Sequence, residues 1–131
     1  ACALHETIMK SKEIKKYDEY IFVSNSYGNI ISNTIKDKYE MDVKNSIYIS
    51  PTAYALKSIK KYPGFIISST EDEYLTTEDA SNLLTFSNSE VLIFEGGNHT
   101  LECDDTLTTI EFCKHAVEKV INYVGGTTNE R

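Results

Sequence analysis

Three short stretches of this sequence carry residues able to do nucleophilic chemistry. The first is Tyr20-Ile21-Phe22-Val23-Ser24-Asn25-Ser26-Tyr27-Gly28-Asn29, where an apolar run suited to a buried strand breaks at Ser24 and a helix begins at about Tyr27. A tight strand-to-helix turn puts Ser26 at its tip, hydroxyl exposed, with the N–H groups of the helix start gathered around it. The pattern is x-S-x-S-x-G: Ser24 replaces the first glycine of the usual G-x-S-x-G, and close approach of strand and helix asks for small residues on both flanks. The second stretch is the acidic triplet Glu71-Asp72-Glu73, and the third is Glu95-Gly96-Gly97-Asn98-His99, a flexible loop ending in a histidine. A serine hydroxyl is a poor nucleophile at neutral pH. It needs an imidazole within hydrogen-bond reach, and the imidazole needs a carboxylate to fix its tautomer and stabilise its charged form. The order Ser, Asp, His is that of a nucleophile elbow followed by an acid and a base on later strands.

Each stretch also has a plainer reading. Ser26 or Asn25 could serve only as a helix cap. The triplet could be a solvated turn, with Glu71 and Glu73 competing with Asp72 for any acid role, and His99 could be a loop histidine without a partner. A phosphate cradle over Ser24 to Gly28 is a further alternative, against which stand a single glycine and no nearby lysine. His99, Cys103, Cys113 and His115 match no metal-ligand spacing, and His5 and His115 read as surface or helix-face residues.

Positioning these groups takes alternating strands and helices. Leu4 to Lys16 reads as a helix with a thin stripe of Leu4, Ile8 and Ile14, and Tyr20 to Val23 as the first strand. Gly28 to Tyr39 carries Ile30, Ile31 and Ile35 at helical spacing, with Lys36, Asp37 and Lys38 solvating its far end. Ser46 to Ser50 is a strand closed by Pro51, and Thr52 to Lys61 a helix packing through Ala53, Leu56 and Ile59. Phe65 to Ser69 is an apolar strand covered on both faces. Thr77 caps a helix through Leu84, with Ala80, Leu83 and Leu84 inward, and Glu90 to Phe94 is the fourth strand. The last helix starts at Asp104 or Asp105. It presents Leu107, Ile110, Cys113, Val117, Val120, Ile121 and Val124 on its apolar face and stops at Gly125-Gly126, leaving 127–131 as a frayed tail.

This alternation predicts an α/β fold in three layers: a mostly parallel sheet of about four strands with helices on both faces, in one domain over residues 1–126. Reactive groups in such sheets collect in loops beyond the carboxyl ends of strands, where Ser26, the acidic triplet and His99 all fall.

Composition narrows the partners. With 13 Lys plus Arg against 20 Asp plus Glu the net charge is −7, and no basic stripe interleaves with aromatics, so nucleic acid and anionic membrane are not expected partners. Three cysteines without paired spacing suit a reducing compartment, and no transmembrane run or signal peptide appears, so the expectation is a soluble cytoplasmic protein.

Taken together, the chain resembles the second half of an α/β-hydrolase of the small esterase type. Ser24-Asn25-Ser26-Tyr27-Gly28 is similar to the nucleophile elbow, and the strand Ile47 to Pro51 to the one after it. Phe65 to Glu73 is similar to the acid-bearing strand and turn, and Phe94 to His99 to the histidine loop. The resemblance implies Ser26 as nucleophile, Asp72 as orienting acid, His99 as general base and the Tyr27 N–H as one oxyanion donor, acting without a cofactor on a small ester or thioester. In that family several strands precede the elbow, and a loop among them gives the second oxyanion donor. Their counterpart does not occur here, so the expectation is a homo-oligomer or a missing N-terminal half covering the Tyr20 to Val23 strand. The rival reading is a catalytically silent hydrolase-like module that binds a partner through that edge. Tyr27, Tyr54 and Tyr74 are candidates to line the site.

Overall fold

A computed structural model describes residues 2–15, 19–86 and 88–126; the tail expected over 127–131 lies outside them. The elements run α1 (Cys2–Lys15), β1 (Ile21–Asn25), α2 (Gly28–Tyr39), β2 (Asn45–Ile49), α3 (Leu56–Lys61), β3 (Phe65–Ser69), α4 (Thr77–Leu83), β4 (Glu90–Phe94) and α5 (Thr106–Gly126). The four strands form one sheet in the order β1-β2-β3-β4, every pair parallel, with Val23 opposite Ile47, Ile49 opposite Ile67, and Ile67 opposite Leu92. Each of α2, α3 and α4 carries the chain from one strand to its neighbour, as a parallel sheet requires.

Strand alternation divides the core into two layers. Tyr48 and Ile66 face α2, α3 and α4 and pack with Ala55, Ile59, Leu75 and Leu83; Ile47, Phe65 and Ile67 face α5 and pack with Ala116. β3 is buried along its whole length, as its unbroken apolar run predicts.

Several helix details differ from the sequence reading. The segment after Pro51 opens as a 3-10 turn (Ala53–Ala55) before α3; the tighter turn shifts the phase, so Ala55 is buried and Ala53 exposed. α4 is capped by Thr76, whose hydroxyl accepts from the Asp79 N–H at 3.1 Å, not by Thr77, and Leu84 at its end faces solvent. The side chain of Ala80 lies outside the described residues. On α5, Asp105 is the cap, accepting from the Thr108 N–H at 2.8 Å. Only part of the expected α5 face is covered: Val120 and Val124 pack on the sheet beside Ala116, while Leu107, Ile110, Cys113, Val117 and Ile121 are exposed. Among the described residues no helix is long and apolar enough to cross a membrane.

Candidate active site

The chain turns from β1 into α2 at Ser26 with φ 53°, a left-handed conformation that is costly for a residue with a side chain. A polar cluster beneath the turn holds it there. The Ser26 N–H donates to the Ile49 carbonyl at 2.9 Å, and the buried Asn29 donates to the same carbonyl at 3.1 Å. Ser24 donates to Asn29 Oδ1 at 2.7 Å, and Ser32 to Ser24 at 3.2 Å. The side chain that replaces the first glycine of the motif thus braces the elbow. At Gly28 an added Cβ would meet Ser24 Cβ at 3.8 Å, an ordinary contact, so the second small flank has room for a methyl group.

Ser26 does not cap α2. Tyr27 occupies the N-cap position and makes no side-chain cap hydrogen bond, which leaves the Ser26 hydroxyl free to face the loop after β4. There, Ser26 Oγ lies 2.9 Å from His99 Nε2, and His99 Nδ1 lies 2.9 and 2.8 Å from the two carboxylate oxygens of Asp72. The contact joins residues 73 positions apart in the chain. A carboxylate only accepts, so Nδ1 carries the proton and Nε2 is left to accept from the serine hydroxyl.

Asp72 is buried between β3 and α4, and its Oδ1 accepts a further hydrogen bond from the Tyr74 N–H at 2.8 Å. Glu71 and Glu73 are exposed, and of the triplet it is the Asp72 carboxylate that meets His99. The acid and base loops are tied together: Glu71 N–H donates to Gly97 O at 2.9 Å, Gly96 N–H to Thr70 Oγ1 at 2.8 Å, and Ser69 Oγ to Asn98 O at 2.6 Å. Asn98 Oδ1 in turn accepts the Thr100 and Glu102 N–H groups at 2.9 and 3.1 Å, fixing the turn that carries His99.

The Tyr74 ring meets the His99 ring edge-on, centroids 4.6 Å apart. Tyr27, Tyr54 and Tyr74 are each half or more exposed. At the start of α2 the Asn29 and Ile30 N–H groups donate back to the Ser26 and Tyr27 carbonyls, each at 3.1 Å, and the Tyr27 N–H lies next to the Ser26 hydroxyl along the chain. Among the described residues no His, Cys, Asp and Glu group of three or more is placed to hold a metal ion.

Sequence reading overlooked Asn29, Ser32 and Asn98, polar residues in positions that look solvated. It also misplaced Lys36. This lysine does not solvate α2 but is 5% exposed, its ammonium donating to Asn33 Oδ1, Ser46 Oγ and Tyr48 OH at 2.9, 2.5 and 2.9 Å. Burial pushes its pKa down to about 8.

No protein-family model and no curated protein matches the sequence. Solved structures do match. A CIB-like hydrolase of Thermoplasma acidophilum superposes with a TM-score of 0.64 at 17% identity, over 90% of this chain and 58% of that one. An alpha-beta serine hydrolase homologue of Coxiella burnetii superposes with a TM-score of 0.66 at 18% identity, over 88% of this chain and 56% of that one. The fold is that of the α/β-hydrolases. The chain spans less than three fifths of the length of either of these structures.

Proposed function

We propose that the chain carries the nucleophile, base and acid of a serine hydrolase acting on a carboxylic ester or thioester. Ser26 attacks the carbonyl carbon while His99 Nε2 takes the hydroxyl proton, and Asp72 holds the resulting imidazolium. His99 then gives that proton to the leaving alcohol or thiol, and water, activated by His99, releases the acyl group and restores Ser26. The Tyr27 N–H is the proposed oxyanion donor. The observation that carries this reading is the unbroken relay from Ser26 Oγ through both ring nitrogens of His99 to Asp72, with every step between 2.8 and 2.9 Å. The α/β-hydrolase fold and the serine hydrolase description of the Coxiella relative add support. No cofactor enters these steps.

Turnover of p-nitrophenyl acetate, with Ser26→Ala and His99→Ala as controls, tests the proposal. Hydrolysis lost in both variants upholds it; hydrolysis unchanged by Ser26→Ala overturns it. With one oxyanion donor in place of two, the rate is expected to fall short of a complete site by a factor on the order of a hundred. The second reading, a silent module that binds through its sheet edge, is favoured by the exposure of Val23 on β1 and predicts a folded chain with no turnover.

A further inference from the structure

The net charge of the chain sits at one end of the sheet. The segments that lead from each strand's carboxyl end into the next helix, 26–27, 50–55, 70–76 and 95–105, hold seven Asp and Glu residues and no Lys or Arg. Three of the seven are the acidic triplet, and the others are Glu95, Glu102, Asp104 and Asp105. Outside these segments the other 13 acidic residues are balanced by all 13 Lys and Arg, so the whole of the −7 is carried by the end where Ser26 and His99 meet. Asp72 is taken up by His99, and the remaining six are exposed. Glu71, Glu102, Asp104 and Asp105 line an open hollow of about 560 Å³ beside the turn that carries His99. Hydrogen bonds from the Thr108 hydroxyl and N–H hold the Asp105 carboxyl below its ordinary pKa.

The tyrosines follow the same division. Of those described, Tyr20, Tyr39, Tyr48, Tyr62 and Tyr123 are buried or half-buried, and the exposed ones are Tyr27, Tyr54 and Tyr74. Each of these three lies in the connection after a different strand. Tyr27 follows Ser26 in the chain, Tyr74 sets its ring edge-on to His99, and the N–H of Ala53, next to Tyr54, donates to the Tyr74 carbonyl at 3.1 Å. Single exposed aromatic residues are ordinary, but three gathered at the end that carries a nucleophile and its base mark a surface that meets a ligand.

Rings and charge together select the occupant. The face of a tyrosine ring is negative and attracts a cation, and carboxylates attract the same charge over a longer range. A neutral aromatic or sugar group would use the rings and gain nothing from the carboxylates, and an anionic group would be repelled by them. The position of the charge within the substrate follows from the chemistry. His99 returns its proton to the leaving oxygen or sulfur, so the leaving group departs on the His99 side. Tyr74 and the acidic hollow both adjoin the turn that carries His99.

We infer that the ester or thioester taken by this site has a cationic leaving group, an alcohol or thiol that carries an alkylammonium. The inference rests on the serine hydrolase reading and adds a substrate class to it. Tyr74 meets the alkylammonium, and the carboxylates around the hollow draw it in.

The test compares acetylthiocholine with S-(3,3-dimethylbutyl) thioacetate, a neutral thioester of the same shape, at about 0.01 M and about 1 M salt, where the Debye length is about 30 and about 3 Å. The ratio of kcat/KM, cationic over neutral, should be about ten or more at low salt. At high salt it should fall to the roughly two- to fivefold preference that one exposed ring gives. Glu71→Gln combined with Asp104→Asn should lower the low-salt ratio by about threefold, and Tyr74→Leu should remove the preference that survives at high salt. A low-salt ratio of one or less, with turnover of the neutral thioester still lost in Ser26→Ala, overturns the inference and leaves the serine hydrolase reading standing. A ratio that both sets of substitutions leave intact overturns it as well. If neither thioester is turned over, the hydrolase reading fails and binding decides the inference: in NMR, choline should receive stronger saturation transfer from the protein than 3,3-dimethylbutanol, and equal or weaker transfer overturns it.

Discussion

Raising the pH from about 8 to 9.5 should stabilise this fold, and Lys36 is the cause. Its ammonium is buried beneath α2, ringed by Phe22, Tyr48 and Tyr62 at 5.1 to 5.9 Å, and its hydrogen-bond partners are an amide and two hydroxyls. None of those partners is a carboxylate, so desolvation outweighs them and the folded pKa falls from 10.5 to about 8. A folded pKa below the unfolded one means that the unfolded chain holds the proton more tightly. Below about pH 8 the ammonium is charged in both states and its cost, about 3 kcal/mol, is present in full. Between 8 and 10.5 the folded state sheds the proton first, and stability rises by up to about 1.4 kcal/mol per pH unit. Integrated from 8 to 9.5 the gain is roughly 1.5 kcal/mol. The window closes there because burial raises the pKa of Tyr48, whose ionisation at higher pH opposes folding. Urea unfolding at both pH values reads the difference, with Lys36→Met as the control that removes the titrating group. The native chain should gain and the variant stay flat; a native chain that loses stability, or a variant that gains as much, refutes the reasoning.

Four further outcomes follow from the site. Asp72→Asn keeps the shape but offers His99 an amide in place of a carboxylate, so p-nitrophenyl acetate turnover should fall by roughly a thousandfold or more. Tyr74→Leu retains the N–H that binds Asp72 but removes the ring beside His99; a contact worth about 0.5–1.5 kcal/mol predicts a two- to tenfold lower kcat with little change in melting temperature. Gly97→Ala would place a Cβ 2.4 Å from the Phe94 ring, which stacks on Phe112 with centroids 4.1 Å apart, so both melting temperature and activity should drop sharply. Ser24→Gly restores the usual motif but strips Asn29 Oδ1 of a donor at 2.7 Å; denaturant unfolding should show a loss of about 1–3 kcal/mol, and an unchanged midpoint would contradict the bracing role.

Periodicity made most of the architecture legible. α2, β3 and β4 fall on the boundaries that their apolar spacing predicts, and the parallel sheet follows from strands alternating with helices. The three residues of the proposed site stood out because each lies in a loop after an apolar strand run and because Ser, Asp and His form an ordered set. Asp72 could be told from its acidic neighbours only through resemblance, since which carboxylate turns inward depends on the turn held by the Tyr74 N–H. Lys36 was misread because a Lys-Asp-Lys run looks solvated; its burial depends on Asn33, Ser46 and Tyr48, which only tertiary packing brings together. The exposed stripe of α5 was read as core because periodicity marks an apolar face and does not say what covers it.

The central claim is an activated serine at position 26. Incubation of the purified chain with a fluorophosphonate, followed by intact mass measurement and peptide mapping, tests it most directly. The account predicts one covalent adduct, located on Ser26, absent from Ser26→Ala and lost or greatly slowed in His99→Ala. A folded chain that forms no adduct, or one labelled at another residue, would contradict it.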